Sequence, residues 1–306
     1  MKRLLTTFAI LTLLPLTGCG DDSGTSESKS GAKADAELLS LVSAAVEAEG
    51  RSARDAVEYV DFALARRQLG LPEDADVYDT SVEDGEVQIS SLLGVLPYAT
   101  GPDSSPLMRA IDGGSIQAAA GRPILGEPAL VAVRTAQPFS EIAAALRREG
   151  YAPSGDLLVS SEDSREAVFP VVADAGGGVV LLGGSESFVG EVRAERAAPL
   201  SRASELIDEV SGPARMADAT AAKCVVAVAA GQNLSPREGE YLLRVEGAAD
   251  EQKFALADRA EPTPNGEVVF GEATTEGDTL RVEFTYSDPL NPAFAALPSG
   301  GDAYDC

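Results

Sequence analysis

Cysteine stands at positions 19, 224 and 306, and histidine is absent from all 306 residues. Those two facts bound the chemistry. Without imidazole the chain lacks the usual general base near neutral pH, the usual partner of a nucleophilic serine or cysteine, and the commonest transition-metal ligand. Thiols alone in this number do not build a zinc site of the usual kinds. Carboxylates are abundant, 49 Asp and Glu against 24 Lys and Arg, and are dense at Glu73, Asp74, Asp76 and Asp79. A calcium loop of the EF type needs oxygens at alternating positions, a glycine at the sixth and a glutamate at the twelfth. That register is absent, so the segment reads as a solvated acidic loop. Paired carboxylates also hydrolyse glycosides, but such clefts are lined with aromatics, and this chain is 5% aromatic with no tryptophan. Gly176-Gly177-Gly178 and Gly183-Gly184 lack the lysine and Ser/Thr of a phosphate loop. They read as a hairpin turn and a close helix approach. Asn233-Leu234-Ser235 has the form of a glycosylation sequon and reads as a turn. The sequence predicts no catalytic residue, no metal ligand and no cofactor site, and so no enzyme.

The elements that would position any site are legible in part. Asp35 to Gly50 predicts a capped helix with Leu38, Leu41, Val42, Ala45 and Val46 on one face. Val57 to Phe62 predicts a strand, followed by a helix to Leu69 that Gly70 stops. Helices are expected near Val87 to Leu96 and Pro106 to Ile111. Beyond Pro128 the pattern predicts strands at Ala129–Thr135, Leu157–Ser160, Ala167–Val172 and Val179–Leu182, with helices at Phe139–Glu149, after Ser185 and after Ser201. The tail predicts strands at Lys223–Ala229, Glu240–Glu246, Glu267–Ala273 and Thr279–Tyr286. In the last, Leu280, Val282, Phe284 and Tyr286 alternate with polar residues, the mark of a half-buried antiparallel strand. The fold class expected is α+β: a mainly antiparallel sheet with helices packed on one face, in two intimate lobes. A mixed, mainly helical lobe would cover 37–126 and a strand-rich α+β lobe 127–306.

The N-terminus reads as an address. Lys2 and Arg3 precede an apolar run, Leu4 to Leu16, that is too short to cross a bilayer core needing about 20 residues. Leu16-Thr17-Gly18-Cys19 follows. This resembles the lipobox of bacterial lipoproteins: an aliphatic residue, two small residues, then cysteine. The resemblance implies a signal peptide at 1–18, cleavage before Cys19, lipid on the Cys19 thiol, and a protein held on the outer face of the cell membrane. Residues 19–36 are polar and rich in Gly and Ser, and read as a flexible tether reaching about 20–25 Å. The formal charge of −25 repels nucleic acid and anionic headgroups, so no nucleic-acid partner is expected. Once Cys19 carries lipid, Cys224 and Cys306 remain in a compartment that permits oxidation, and a disulfide between them is expected. The rival arrangement leaves Cys224 as a buried free thiol and Cys306 frayed or paired between molecules.

Leu130-Val131-Ala132-Val133, the expected helix ending at Gly150-Tyr151, and Leu181-Leu182-Gly183-Gly184-Ser185 resemble part of a group of secreted or lipid-anchored, uncharacterised actinobacterial proteins. Val60-Asp61-Phe62 with Leu69-Gly70-Leu71 is similar to their start. The group brings no catalytic residues with it. The function expected is a cell-surface lipoprotein with a non-enzymatic ectodomain that binds a protein or wall component or serves a structural role. The alternative is a carrier of an apolar ligand such as a lipid.

Overall fold

Local signals start most of the elements. In the computed structural model, residues 33–49, 55–78, 81–82, 87–88, 106–122, 130–160, 169–219, 224–253 and 268–287 are described. The first element is α1 (Ala36–Glu49). Asp35 caps it: Oδ1 accepts the N–H groups of Glu37 at 3.0 Å and Leu38 at 3.3 Å. Then come β1 (Ala56–Asp61) and α2 (Phe62–Gln68), the latter capped by Asp61 and closed by Gly70 at φ +67°. A small ribbon pairs β2 (Ser81–Val82) with β3 (Val87–Gln88). Next are α3 (Pro106–Ala110), a 3₁₀ turn at Gly113–Ser115, β4 (Ile116–Gly121), β5 (Leu130–Thr135) and α4 (Phe139–Arg148). A meander follows, β6 (Tyr151–Ser154), β7 (Leu157–Ser160), β8 (Val171–Gly176) and β9 (Val179–Gly183). Ser185 caps α5 (Glu186–Ala194) and Ser201 caps α6 (Arg202–Ile207). The tail gives β10 (Ala214–Asp218), β11 (Val225–Leu234), β12 (Arg237–Val245), β13 (Val268–Glu276) and β14 (Thr279–Tyr286).

Twelve strands form one sheet in the order β13-β14-β12-β11-β10-β1-β4-β5-β9-β8-β7-β6. Every neighbouring pair in it is antiparallel. The fold is therefore α+β and mostly antiparallel. Strand residues alternate between the two sides, and so do their apolar partners. Leu130 and Ala132 of β5 join a core with α1, α5 and α6, through Leu38, Leu41, Val189 and Leu206. Val131 and Val133 of the same strand join another core with α2, α3 and α4, through Phe62, Leu107, Ile142 and Leu146. The helices thus line both sides of the central sheet, which corrects the expectation of helices on one face. The reason lies in the strands: β5 and β9 are apolar at consecutive positions, and each side needs its own cover. A third cluster, on β11, β12 and β14, holds Tyr241, Leu243, Leu280, Val282, Phe284 and Tyr286. No described helix contributes to it.

Strands on either side of residue 126 belong to this one sheet. β1 and β4 sit between β10 and β5, and the whole lies in one compact unit, Gly31–Cys306. Residues 37–126 therefore supply two central strands as well as helices. Val87–Gln88, expected to open a helix, are strand, and the rest of that expected helix lies outside the described residues. Besides β3, four strands lie beyond the sequence pattern: β2, β4 (Ile-Gln-Ala-Ala-Ala-Gly), β6 and β10. β4 lacks β-branched residues after Ile116. It is a strand because both its flanks, β1 and β5, offer hydrogen-bonding edges, and pairing overrides weak propensity.

Candidate functional site

A dense set of polar side chains surrounds residues 34–37, where the described chain enters the fold. Lys33 is exposed, yet a few residues on the chain becomes a helix whose Leu38, Leu41 and Val42 have no solvent contact. Three elements hold the junction. From β5, Arg134 forks onto Asp35, Nε to Oδ2 at 2.8 Å and Nη2 to Oδ1 at 3.0 Å, and Nη2 also reaches Glu37 at 2.9 Å. From β1, the Tyr59 hydroxyl accepts the Asp35 N–H at 3.1 Å. After α6, Asp208 Oδ1 accepts the Ala34 N–H at 2.8 Å.

A second tier braces these groups. Arg134 Nη1 donates to the Gly177 carbonyl in the β8–β9 turn. That turn lies hard against β5: at Gly178, φ +80°, a Cβ would stand 2.9 Å from the Thr135 carbonyl oxygen. Arg215 of β10 lies over the Tyr59 ring, 5.7 Å from its centroid, and 3.8 Å from Asp208. Its Nε donates to the Gly212 carbonyl at 2.7 Å.

The electrostatics follow from burial and pairing. Burial by itself would raise the Asp35 carboxyl, but the hydrogen bond and charge of Arg134 and the N–H groups of Leu38 and Glu37 outweigh it and hold the pKa below 3.8. The hydrogen bond to Asp35 keeps Arg134 more firmly protonated against its own burial. Burial pushes the Tyr59 phenol up to about 12. Every carboxylate and guanidinium here is engaged with a main-chain group or an opposite charge. The arrangement can fix the backbone; it presents no nucleophile paired with a base.

The acidic loop has a different use from the one its composition suggests. Arg66 of α2 is 2% exposed and donates to three carbonyls: Ala75 at 2.9 Å, Ile116 at 2.6 Å and Gly113 at 2.8 Å. Burial lowers its pKa, while Asp76, Asp112 and Asp74 raise it. The loop carboxylates thus offset a buried cation, and Asp76 Oδ1 also accepts the Tyr78 N–H at 2.7 Å. Glu73 is exposed, and Asp79 lies outside the described residues. Among the described residues no group of three or more acidic, Cys or His side chains is placed to hold a metal ion.

The glycine runs sit as expected. Gly176 ends β8 and Gly177-Gly178 turn the β8–β9 hairpin, and a Cβ on Gly183 would fall 2.3 Å from Val189 Cγ2, where α5 crosses β9. Asn233-Leu234 ends β11 instead of forming a turn, and Asn233 accepts from Gln68 Nε2 at 2.8 Å; the turn begins at Ser235. Cys224 sits just ahead of β11 and is disulfide-bonded. Its expected partner, Cys306, and the lipidation candidate, Cys19, lie outside the described residues. Sequence reasoning misses Arg66, Arg134 and Arg215. Arginine is ordinarily a surface residue, and the only available signal is arginine inside otherwise apolar strands such as Leu-Val-Ala-Val-Arg-Thr.

No family model and no curated protein matches the sequence. Among solved structures, crystal form I of TP0453 superposes with a TM-score of 0.50 at 12% identity, covering 87% of this chain and 98% of that one. Crystal form III of TP0453 gives 0.46 at 10% identity, covering 85% and 98%. The likeness to crystal form I is one of fold.

Proposed function

We propose that the chain is a cell-envelope lipoprotein, attached through lipid on Cys19 to the outer face of the membrane, whose ectodomain binds or scaffolds and does not catalyse. The observation that carries the ectodomain reading is the employment of its inner charges. Arg66 directs Nε, Nη1 and Nη2 each to a carbonyl, Arg134 holds the Asp35 carboxylate that caps α1, and Arg215 packs on Tyr59 and ties to Gly212. Perturbed groups at catalytic sites converge on a cleft; these are taken up by main-chain carbonyls and by the Asp35 cap. The address rests on Lys2-Arg3, the apolar run and Leu16-Thr17-Gly18-Cys19. The test is fatty-acid labelling with fractionation. The expected result is labelled, membrane-bound mature protein, and a Cys19→Ala form that is released or remains uncleaved. Mature, membrane-bound Cys19→Ala protein would overturn the reading.

One observation favours the alternative, a carrier of an apolar ligand. The aromatic side chains of the third cluster, with Phe270 and Phe284 at 6.0 Å and Phe284 and Tyr286 at 6.3 Å between centroids, form an apolar set to which no described helix contributes a residue. Mass spectrometry of protein purified from its native host decides it. A stoichiometric co-purifying lipid establishes the carrier, and its absence under native extraction returns the reading to a protein or wall-component partner.

A further inference from the structure

We infer that the contacts around Ala34 and Asp35 form a mechanical stop, which takes up pull on the chain from its N-terminal side before that pull reaches α1. The need for a stop comes from α1 itself. A helix at the chain's entry is usually peripheral, but here Leu38, Leu39, Leu41, Val42, Ala44 and Ala45 are each 0–1% exposed. α1 packs with α5 and α6 over β4 and β5, and its departure would uncover Ala118, Ala120, Leu130, Ala132 and Leu181. Lys33 lies only three residues ahead of its first turn. Without an intervening hold, tension at Lys33 would peel the helix from the middle of the core.

The hold is built across the fold and not along the chain. Ala34 and Asp35 are tied to residues 24, 99 and 174 positions away, on β1, on β5 and after α6. Each tie is anchored by a further contact: Arg134 on the Gly177 carbonyl, Tyr59 beneath Arg215, and Asp208 beside Arg215. An ordinary helix cap needs the Asp35 oxygen and nothing more. The fork from Arg134, the phenol on the Asp35 N–H and the carboxylate on the Ala34 N–H are additional to capping, and they tie the backbone to three separate elements. Deeper inside, Ser43 of α1 shares a hydrogen bond with Ser204 at 2.8 Å and accepts the Ser201 N–H at 2.9 Å, so the stop is backed by a second pin at mid-helix. The pull that such a stop would meet in the cell is that of the lipid anchor; this part rests on the reading of Cys19 given under the proposed function.

Single-molecule pulling tests it on the unlipidated mature chain, with one handle on the Cys19 thiol and the other on a C-terminal tag. The expected result for the wild type is no early step. Arg134→Gln should show an early rupture at reduced force that releases about 50 Å of chain, the extended length of residues 34–49. Moving the first handle to Ala194→Cys, in a Cys19→Ser background, bypasses the stop, and the early step of Arg134→Gln should then vanish. Asp208→Ala should show the same step more weakly, and carries the test if Arg134→Gln fails to fold. Identical first ruptures in wild type and variants pulled through Cys19, or an early step in both pulling geometries, would overturn the inference. Because the handle replaces lipid, this outcome is independent of whether Cys19 is acylated in cells.

Discussion

The middle of the sheet and its β11–β14 end solve the same burial problem differently. In the middle, β5 and β9 are apolar on both sides, and helices contribute to a core on each. At the end, one side is apolar and aromatic while the other carries ion pairs. Glu209, just past α6, accepts from Arg244 of β12 at 2.6 and 2.8 Å, and Arg281 of β14 pairs with Glu240 of β12. The strand sequences dictate this contrast. Val-Val-Leu-Leu-Gly leaves no position for water, whereas Thr-Leu-Arg-Val-Glu-Phe-Thr-Tyr assigns every second residue to it. A sheet can thus change from a three-layer to a more open construction along its width by a change of period within its strands.

The sharpest way to break the comparison is a charge on each side of a strand. Val180→Asp and Leu181→Asp, on opposite sides of β9 and 0–1% exposed, should each unfold the domain, because an unpaired buried carboxylate costs several kcal/mol against a total of about 5–15. In β14, Val282→Asp should do the same, while Thr285→Ala, at an exposed position of the same strand, should shift stability by no more than about 0.5 kcal/mol. Urea unfolding followed by circular dichroism checks all four, and tolerance of either β9 variant would remove the case for two covered sides.

Cys224, just ahead of β11, packs against the third cluster and so belongs to the β11–β14 end. If Cys306 is its partner, the closed loop of about 83 residues is worth ~4.5 kcal/mol in the chain-entropy model before strain. Reduction should raise hydrogen exchange in β11, β12 and β14 and leave β5 and β9 protected. Non-reducing peptide mapping identifies the partner directly. A Cys224–Cys19 peptide in the mature protein would refute both the pairing and the lipidation.

The Arg134 clamp belongs to the middle. Arg134→Gln removes a partly buried fork and should cost about 1–3 kcal/mol, since hydrogen bonds to charged groups contribute about that much. The comparable exchange at the more exposed Arg281 of β14 should cost under about 1 kcal/mol. Equal losses at the two positions would contradict the difference in construction.

The smallest expected effect is on pH dependence. Asp35 has a folded pKa lowered below 3.8. Its contribution is therefore present above the unfolded value and is lost as pH falls through the folded one. The stability difference between wild type and Asp35→Asn should be constant from about pH 5 to pH 8 and shrink below about pH 4. A difference that grows on acidification would reverse the assignment of Arg134 as its partner.

Where a residue's immediate neighbours carry the information, the sequence alone was enough. Asp35 ahead of an apolar stretch made a capped helix, the run of three glycines ended β8 and made the β8–β9 turn, and strict alternation from Thr279 to Tyr286 made β14. The absence of histidine, the acidic balance and the lipobox-like start are likewise properties of the chain itself. Tertiary structure decided the rest. Ile-Gln-Ala-Ala-Ala-Gly became a strand because β1 and β5 offered edges on either side of it. The helices divided between two sides because β5 and β9 lie mid-sheet, a position that no single strand's sequence reveals. The arginines went inside because carbonyls from distant segments converged on them: Ala75, Gly113 and Ile116 on Arg66, and Gly177, with the Asp35 carboxylate, on Arg134. A buried charge is stable only where its partners meet, and that meeting depends on the three-dimensional fold.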